Sequence, residues 1–373
     1  LERKSDPTKL TRACGETLVC FNEYYLGNIA RYNTRDTRIC FSPAGFSFKF
    51  DGPYENIYST RIYAPNGHKI DHGDYEQQKR LGDYGRAGLA FDKGTLFQRL
   101  LEQVKACSVD VFPGINVEKV ATTAEGVTVE GSGQSFEGTY VITADGGNSR
   151  IAQMMGFNKD RTYYCNVYGL SYYMSGVEIP EPPDTVVLMS ASLKEGPISL
   201  YVLPRFTEGE RNVLVTAMNP RVDLKIAFDY FMNKALSASW FKKAKKSKAF
   251  SAVLSCYSPI IDPYKDRVLV IGDAASCVDL ENTGAMLSGL KAGHAVSTAV
   301  QEKNLGLETT GISHYLNWWK EDYINVGNYK DMMKGVGLRL ILTTEEEINY
   351  YFGLIKETLP ALWAPGGTQR EAV

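Results

Sequence analysis

The chain has 373 residues, of which 44% are hydrophobic and 23% are charged, and its formal net charge is −2. A chain of this length exceeds the size at which a single core stops growing, so two lobes are expected in an ordinary globular protein. The charge argues against nucleic acid as a partner.

The reactive residue types are scattered rather than clustered. The seven cysteines, at positions 14, 20, 40, 107, 165, 256 and 277, include no C-x-x-C pair, which predicts a reducing compartment without a disulfide framework or zinc site. The four histidines have no metal-ligand spacing. No apolar run reaches the roughly 18 residues that span a bilayer, and no charged-then-apolar leader is recognisable. We therefore expect a cytoplasmic protein, or one peripheral to a membrane.

The first part of the chain reads mainly as strands. Residues 17–30 show a weak helical pattern, 38–50 alternate as strands do, and 57–70 form a hairpin pattern around Asn66-Gly67. Residues 88–91 end a strand that feeds an amphipathic helix over 93–101. Short strands are predicted at 109–112, 117–122 and 127–130, and a further strand over 139–143 ends in Asp145-Gly146.

The second part begins with alternating, tyrosine-rich strands over residues 163–203. Residues 222–249 read as a helix that ends in a lysine-rich run over 242–248. Such a run is usually a solvated helix face, and contact with anionic lipid headgroups is the alternative. A strand follows at 252–258, and beyond residue 301 the pattern is mostly helical.

The most informative stretch runs from Arg267 to Ser276. An apolar run ends in Gly272-Asp273, and a helix with small residues on one face begins about ten residues later, so we predict a buried strand, a tight turn and a buried helix. Small residues let a ligand approach the backbone, and Asp273 lies where open α/β sheets bind ligands. Taken alone, the stretch is explained equally well as core structure.

The Asp145-Gly146 turn favours a ligand site over ordinary core structure, because it makes a second strand that ends in an acid-glycine turn. In this order, the two turns resemble the internal signatures of the class A flavoprotein monooxygenase and geranylgeranyl reductase superfamily. The resemblance implies an α/β fold in which an FAD-binding, Rossmann-like (doubly wound) domain carries an inserted, mostly antiparallel β-sheet substrate domain and a C-terminal helical region.

The same resemblance implies the domain boundaries. Residues 1–40, 86–158 and 259–305 would form the FAD-binding domain, 41–85 and 159–258 the substrate sheet, and 306–373 the helical region. The glycine-rich pyrophosphate turn is not found, because neither Gly82–Gly88 nor Gly126–Gly133 follows a strand and opens a helix. Either an upstream segment or a partner chain carries it, or the protein binds flavin without it; we favour the first, because a parallel sheet without its first strand exposes an apolar edge.

The resemblance also implies which residues hold FAD. Glu2 would accept the adenosine ribose hydroxyls, and Asp273 would accept those of the flavin chain. Backbone N–H groups at the start of the later helix would face the flavin pyrimidine oxygen. Lys93 stands where the family usually has arginine. The full implied set is Glu2, Arg12, Cys14, Gly15, Lys93, Asp145, Gly146, Gly272, Asp273, Ala274, Thr283, Gly284 and Ala285.

The loop Cys14-Gly15-Glu16 resembles the reductase branch more than the hydroxylases. That branch implies hydride delivery from reduced FAD to a carbon-carbon double bond of an isoprenoid or other apolar substrate. NAD(P)H or another reduced donor would supply electrons. Candidate residues are Cys277 and Glu281 for catalysis, and Tyr201 and Pro204 for substrate contact. The alternatives are an NAD(P)H- and O2-dependent hydroxylase, and a flavin-bearing or non-catalytic subunit of a larger complex.

Overall fold

The computed structural model describes residues 1–277, 280–327, 329–330 and 341–361. Its helices are α1 (Tyr75–Arg80), α2 (Lys93–Ala106), α3 (Arg150–Met154), α4 (Leu224–Asn233), α5 (Glu281–Asn304), α6 (Gly311–Trp319) and α7 (Glu345–Leu354). Short 3-10 segments cover Gly82–Tyr84, Leu236–Phe241 and Gly272–Ala274, and a π-helical turn covers Lys320–Ile324.

The strands of the first half are β1 (Thr17–Leu18), β2 (Tyr24–Tyr25), β3 (Asn28–Asn33), β4 (Arg38–Ser42), β5 (Phe46–Lys49), β6 (Tyr54–Ile57), β7 (Ser59–Tyr63), β8 (Lys69–His72), β9 (Gly88–Phe91), β10 (Val117–Thr122), β11 (Val127–Gly131), β12 (Gln134–Gly138) and β13 (Val141–Thr143). Those of the second half are β14 (Tyr163–Ser175), β15 (Thr185–Leu193), β16 (Gly196–Pro204), β17 (Glu210–Ala217), β18 (Lys245–Tyr257), β19 (Tyr264–Lys265) and β20 (Val268–Val270).

A seven-stranded sheet in the order β18-β14-β17-β16-β15-β7-β8 is the largest element of the described chain. It is antiparallel except between β7 and β15. Smaller sheets have the orders β2-β3-β4-β5, β1-β9-β6, β10-β11-β12 and β13-β20-β19, and in the last of these β13 and β20 are parallel. The two acid-glycine turns thus follow neighbouring parallel strands, as a ligand site at a sheet edge requires.

The seven-stranded sheet buries both faces, because alternate residues of each strand point to opposite sides. Val202 packs in a cluster with Phe228 and Phe231 of α4. Leu203, the next residue, belongs to a different cluster that contains Ile57. The second face is therefore covered in part by β6, which carries Ile57.

Helices α5 and α6 pack closely behind the β20 turn. A methyl group at Gly311 would lie 2.4 Å from the backbone nitrogen of Ala299, so only glycine permits this approach. Trp319 is fully buried at the end of α6, and its Nε1 donates to the Ile260 carbonyl at 2.8 Å. These contacts fix α5 relative to the loop that precedes β20.

The predicted helix over residues 17–30 is wrong, because this segment forms β1, β2 and the start of β3. Cys20, Asn22 and Leu26 have left-handed φ values of 59°, 58° and 51°, which interrupt any helical path. The Asn22 amide also donates to the carbonyls of Asp83 and Arg86 at 3.0 Å. These distant partners override a weak local pattern.

The predicted helix over residues 222–249 is correct only in its first half. The lysine-rich run instead enters β18, the edge strand of the seven-stranded sheet. Lys246 lies 4.7 Å from the ring centroid of Tyr172, and Lys248 lies 4.8 Å from that of Phe250. Strand pairing and these cation-π contacts outweigh the helical pattern, and lysines suit an exposed sheet edge. Contact with anionic lipid stays a prediction.

The strand predicted over residues 109–112 is also wrong. Only an isolated parallel bridge between Glu2 and Pro113 forms there, supported by a 3.0 Å bond from the Glu2 N–H to the Phe112 carbonyl. The other predicted strands are confirmed within a few residues, as are the 57–70 hairpin and helix α2. Part of the predicted C-terminal helical region lies outside the described residues. None of the described helices combines the length and hydropathy needed to cross a bilayer.

Candidate functional site

The turn after β20 is built by Gly272, whose φ of 58° is a left-handed value that favours glycine. Its N–H donates to the Ser288 hydroxyl of α5 at 3.1 Å, which holds the turn against the helix. Arg161 supports the turn from the other side, donating to the carbonyls of Ala274 and Ala275 at 3.3 Å. Burial lowers the pKa of Arg161 to about 10. Sequence reasoning missed this arginine, which carries no local signal.

Asp273 is the carboxylate of this turn. It is partly buried, and no described residue donates a hydrogen bond to it. Burial raises its pKa to about 6, although the positive charge of Lys93 acts in the opposite direction. A carboxylate is a hydrogen-bond acceptor, and a buried one without donors is energetically costly. Asp273 is thus the group in this turn best suited to accept hydroxyl groups from a ligand.

Lys93 connects the loop at residue 14 to the start of α5. It begins helix α2, whose N-cap is Asp92, and its ammonium group donates to the Asn282 side chain at 2.8 Å and to the Cys14 sulfur at 3.5 Å. The Asn282 amide in turn donates to the Thr17 carbonyl at 2.9 Å. The structure therefore brings Cys14 and Lys93 together with the α5 terminus, and Asn282 is a member of this cluster that the sequence reasoning did not select.

The first turn of α5 packs tightly against the β1 segment. The buried Thr283 hydroxyl donates to the Val19 carbonyl at 2.7 Å. The Gly284 N–H donates to the Leu280 carbonyl at 2.7 Å, so it is used within the helix rather than facing outward as predicted. Ala285 lies beneath the Gly272 turn, where a methyl group on Gly272 would be 3.8 Å from its Cβ. The predicted strand-turn-helix geometry is therefore present, but Gly284 is not a free donor.

Glu16 anchors the Cys14-Gly15-Glu16 loop to the seven-stranded sheet. Its carboxylate accepts the Tyr173 hydroxyl at 2.7 Å and the Arg205 guanidinium at 2.6 Å. Burial raises the pKa of Glu16, and the bonds from Tyr173 and Arg205 oppose that rise. Asn212 secures the same loop by donating to the Cys14 carbonyl at 2.7 Å. The loop is thus fixed between the sheet and the start of α5.

Gly15 lies close to the seven-stranded sheet. A methyl group there would lie 3.4 Å from the Leu203 side chain. Tyr201 is two residues earlier on β16, so it lies on the same face as Leu203, whereas Pro204 is buried on the other. Of the two predicted substrate residues, only Tyr201 therefore points to the side of the candidate site.

Asp145 has a different role from Asp273, because its carboxylate is satisfied within its own turn. It accepts the hydroxyls of Thr143 and Ser149 at 2.8 and 2.5 Å, and the Arg150 N–H at 3.0 Å. Gly146 supports the turn with a φ of 86°. Asp145 thus stabilises the start of α3, and its side chain is exposed.

The remaining predicted cofactor residues lie near the N-terminus. Glu2 uses one carboxylate oxygen to accept the Lys4 N–H at 2.8 Å, and its backbone N–H pairs with the Phe112 carbonyl. Arg12 is exposed. Their assignment to the adenosine half of the cofactor stays a prediction.

The two candidate catalytic residues are placed differently. Cys277 is buried, and a methyl group on Gly147 would approach its sulfur to 2.5 Å, so the thiol fills the space between the two acid-glycine turns. Glu281 is exposed and begins α5 with a left-handed φ of 52°. Residues 278 and 279 lie outside the described chain, and the catalytic roles of Cys277 and Glu281 stay predictions. Among the described residues, no group of histidine, cysteine or acidic side chains forms a metal site.

The fold resembles solved flavoprotein structures, although no family model matches the chain. It is similar to a geranylgeranyl bacteriochlorophyll reductase-like protein from Thermoplasma acidophilum, with a TM-score of 0.70 and 16% identity over 98% of this chain and 87% of that one. It is also similar to the flavin-dependent halogenase CmlS, with a TM-score of 0.60 and 13% identity over 82% of this chain and 56% of that one.

A third similar structure is the halogenase PltM in complex with phloroglucinol and FAD, with a TM-score of 0.58 and 12% identity over 81% of this chain and 63% of that one. At these identities, the likeness defines the fold. The predicted resemblance and the α/β fold class are therefore confirmed at that level.

Proposed function

We propose that this protein is a flavin-dependent oxidoreductase that binds FAD beside the β20 turn. The observation that carries the proposal is Asp273, a partly buried carboxylate at the end of a parallel strand that no described residue satisfies. Its position suits the acceptance of sugar-chain hydroxyls. The likeness of the fold to flavoprotein structures supports the choice of ligand.

The residues fit one half of FAD better than the other. Asp273, Lys93 and Asn282 would surround the flavin half, and the second oxygen of Glu2 would accept ribose hydroxyls. Among the described residues the pyrophosphate cradle has no counterpart, because Gly82 opens a short 3-10 segment and Gly126 lies in the hairpin between β10 and β11. We propose that an upstream segment or a partner chain supplies it along β13, which pairs only with β20 among the described strands.

The proposed reaction is the reduction of a carbon-carbon double bond in an isoprenoid or another apolar substrate. Bound reduced flavin would supply the hydride. The chain would contribute the sheet face that carries Tyr201 and Leu203, where apolar side chains exclude water. The Cys14 sulfur accepts a hydrogen bond from the Lys93 ammonium group at 3.5 Å, so this pair is a proton source to compare with Cys277 and Glu281.

A comparison of FAD with riboflavin tests the binding proposal. Titrations of the purified full chain that follow flavin fluorescence should detect both ligands. In the absence of the segment or partner proposed to carry the cradle, their affinities should be similar, because the Gly82 and Gly126 stretches of the described chain form no site for the FAD pyrophosphate. Asp273→Asn should weaken both, and the exposed Asp266→Asn variant is the matched control. Undetectable binding of both ligands, also with a co-purifying partner present, contradicts the proposed site.

Substrate turnover tests the reaction. Chain loaded with reduced FAD and mixed anaerobically with a geranylgeranyl lipid should oxidise the flavin and give a saturated product. Substrate-dependent oxygen consumption with NAD(P)H would instead identify a hydroxylase. Flavin that binds without any turnover, in a chain that co-purifies with a partner, would identify a non-catalytic subunit.

A further inference from the structure

Cys165 and Cys256 face each other directly across the antiparallel strands β14 and β18. Both are buried, and they pack together with Val167 and Met218 in one small cluster. Neither forms a disulfide in the structure. The strand register places their side chains side by side, although the two residues are 91 positions apart in the sequence.

This placement satisfies the geometric requirement for a disulfide. Directly opposed residues in an antiparallel pair have Cα atoms roughly 4.5–5.5 Å apart. Disulfides need Cα atoms roughly 4.4–6.8 Å apart, so no strand must move to bring the sulfurs into bonding range. Their membership of one cluster places both side chains on the same face of the sheet.

The surroundings also favour reaction of one thiol over the other. Hydrogen bonding between the two thiols lowers the pKa of Cys165 and raises that of Cys256. A thiol with a lowered pKa is the better nucleophile of a pair. Cys165 is also the more accessible of the two, with 7% of its surface exposed against 0% for Cys256, and its neighbours Tyr163 and Tyr164 are exposed at the strand end.

We propose that Cys165 and Cys256 form a peroxide-sensitive dithiol that closes to a reversible cross-strand disulfide. The Cys165 thiolate attacks hydrogen peroxide, forming a sulfenic acid and releasing water after proton uptake. The Cys256 thiol then attacks the sulfenic sulfur, which forms the S–S bond and releases a second water. Two thiols and one peroxide thus give one disulfide and two waters, with the sulfurs oxidised and the peroxide reduced. This inference does not depend on flavin binding.

Peptide mapping tests it on the full chain. Reduced protein is treated with hydrogen peroxide, quenched with catalase, denatured in an alkylating reagent and digested with trypsin. Residues 162–194, 249–265 and 268–291 each contain one cysteine. The expected product joins 162–194 to 249–265, weighs two hydrogen atoms less than the separate peptides, and disappears on reduction with dithiothreitol.

Two serine variants test which cysteines form the cross-link. Cys165→Ser should abolish the cross-link, whereas Cys107→Ser, at an exposed cysteine, should leave it intact. Full alkylation of both cysteines after peroxide overturns the proposal, as does a sulfinic acid at Cys165 without a cross-link. A link between 249–265 and 268–291 would assign the chemistry to Cys277 instead. The wild-type map decides the question even when a variant fails to fold.

Discussion

Replacing Asp273 with asparagine should stabilise the apo-protein at neutral pH and weaken flavin binding. The folded environment raises the pKa of Asp273 from 3.8 to about 6 through burial. At about 1.36 kcal/mol for each pH unit, the ionised carboxylate costs up to about 3 kcal/mol of folding free energy. Asparagine has nearly the same shape without this charge, so the variant avoids the cost.

The sign of the pH dependence follows from the direction of the pKa change. Because the folded-state pKa is raised, the favourable contribution of Asp273 is complete below 3.8 and is lost as the pH rises through about 6. The Asp273→Asn variant lacks this dependence. Its stability advantage should therefore be largest above about pH 7 and should disappear near about pH 4.

Urea unfolding followed by tryptophan fluorescence measures the gain in stability of Asp273→Asn. Flavin titration measures its loss of affinity. Hydrogen bonds to a charged group contribute about 1.5–3 kcal/mol, so the variant should bind flavin about 10- to 100-fold more weakly. Asp266→Asn, at an exposed acid with a left-handed backbone that asparagine also accepts, should change neither quantity. A variant less stable than wild type at neutral pH, with unaltered flavin affinity, would refute the reasoning.

Further substitutions test the packing and charge around the same turn. Gly147→Ala should lower the free energy of unfolding by about 1–3 kcal/mol, because its methyl group would lie 2.5 Å from the buried Cys277 sulfur. Gly289→Ala, whose methyl group meets no atom within 4 Å, should raise it by about 0.5–1 kcal/mol. Equal melting temperatures for these two variants would contradict the packing. Thr283→Val should cost about 1–3 kcal/mol in urea unfolding by leaving a carbonyl unpaired, and Thr283→Ser should recover most of it. Lys93→Met should raise the pKa of Asp273 further, because it removes the positive charge that lowers this pKa. In the Lys93→Met background, the stability gained by Asp273→Asn should then develop at a higher pH than in the wild-type background. If that pH is unchanged, the two charges do not interact.

Local pattern predicted much of the fold, because most strands alternate and most turns carry their own glycine or asparagine. It failed at residues 17–30 and 242–248, where distant partners decide the structure. Lys246 and Lys248 contribute to a strand because aromatic rings on β14, α4 and β18 accept their ammonium groups. Sequence alone cannot place these rings beside the lysines.

The same limit applies to the site. Glu16 contacts Tyr173 and Arg205 across 157 and 189 residues of chain, so no spacing rule could identify them as partners. The Cys14-Gly15-Glu16 loop was recognisable as a motif. Its attachment to the sheet, which fixes its position relative to Lys93, became visible only in three dimensions.

The two acid-glycine turns differ for a reason that is partly readable in the sequence. Asp145 is flanked by Thr143 and Ser149, whose hydroxyls satisfy its carboxylate within the turn. Asp273 is followed by two alanines, and the hydroxyl nearest in the sequence, that of Ser276, lies 2.5 Å from the Tyr323 hydroxyl instead. A carboxylate without donors in its own turn must be satisfied by water or a ligand, or bear the cost of burial. The engagement of the Ser276 hydroxyl with Tyr323, more than the acid-glycine pair itself, thus separates the candidate ligand acid from the structural one.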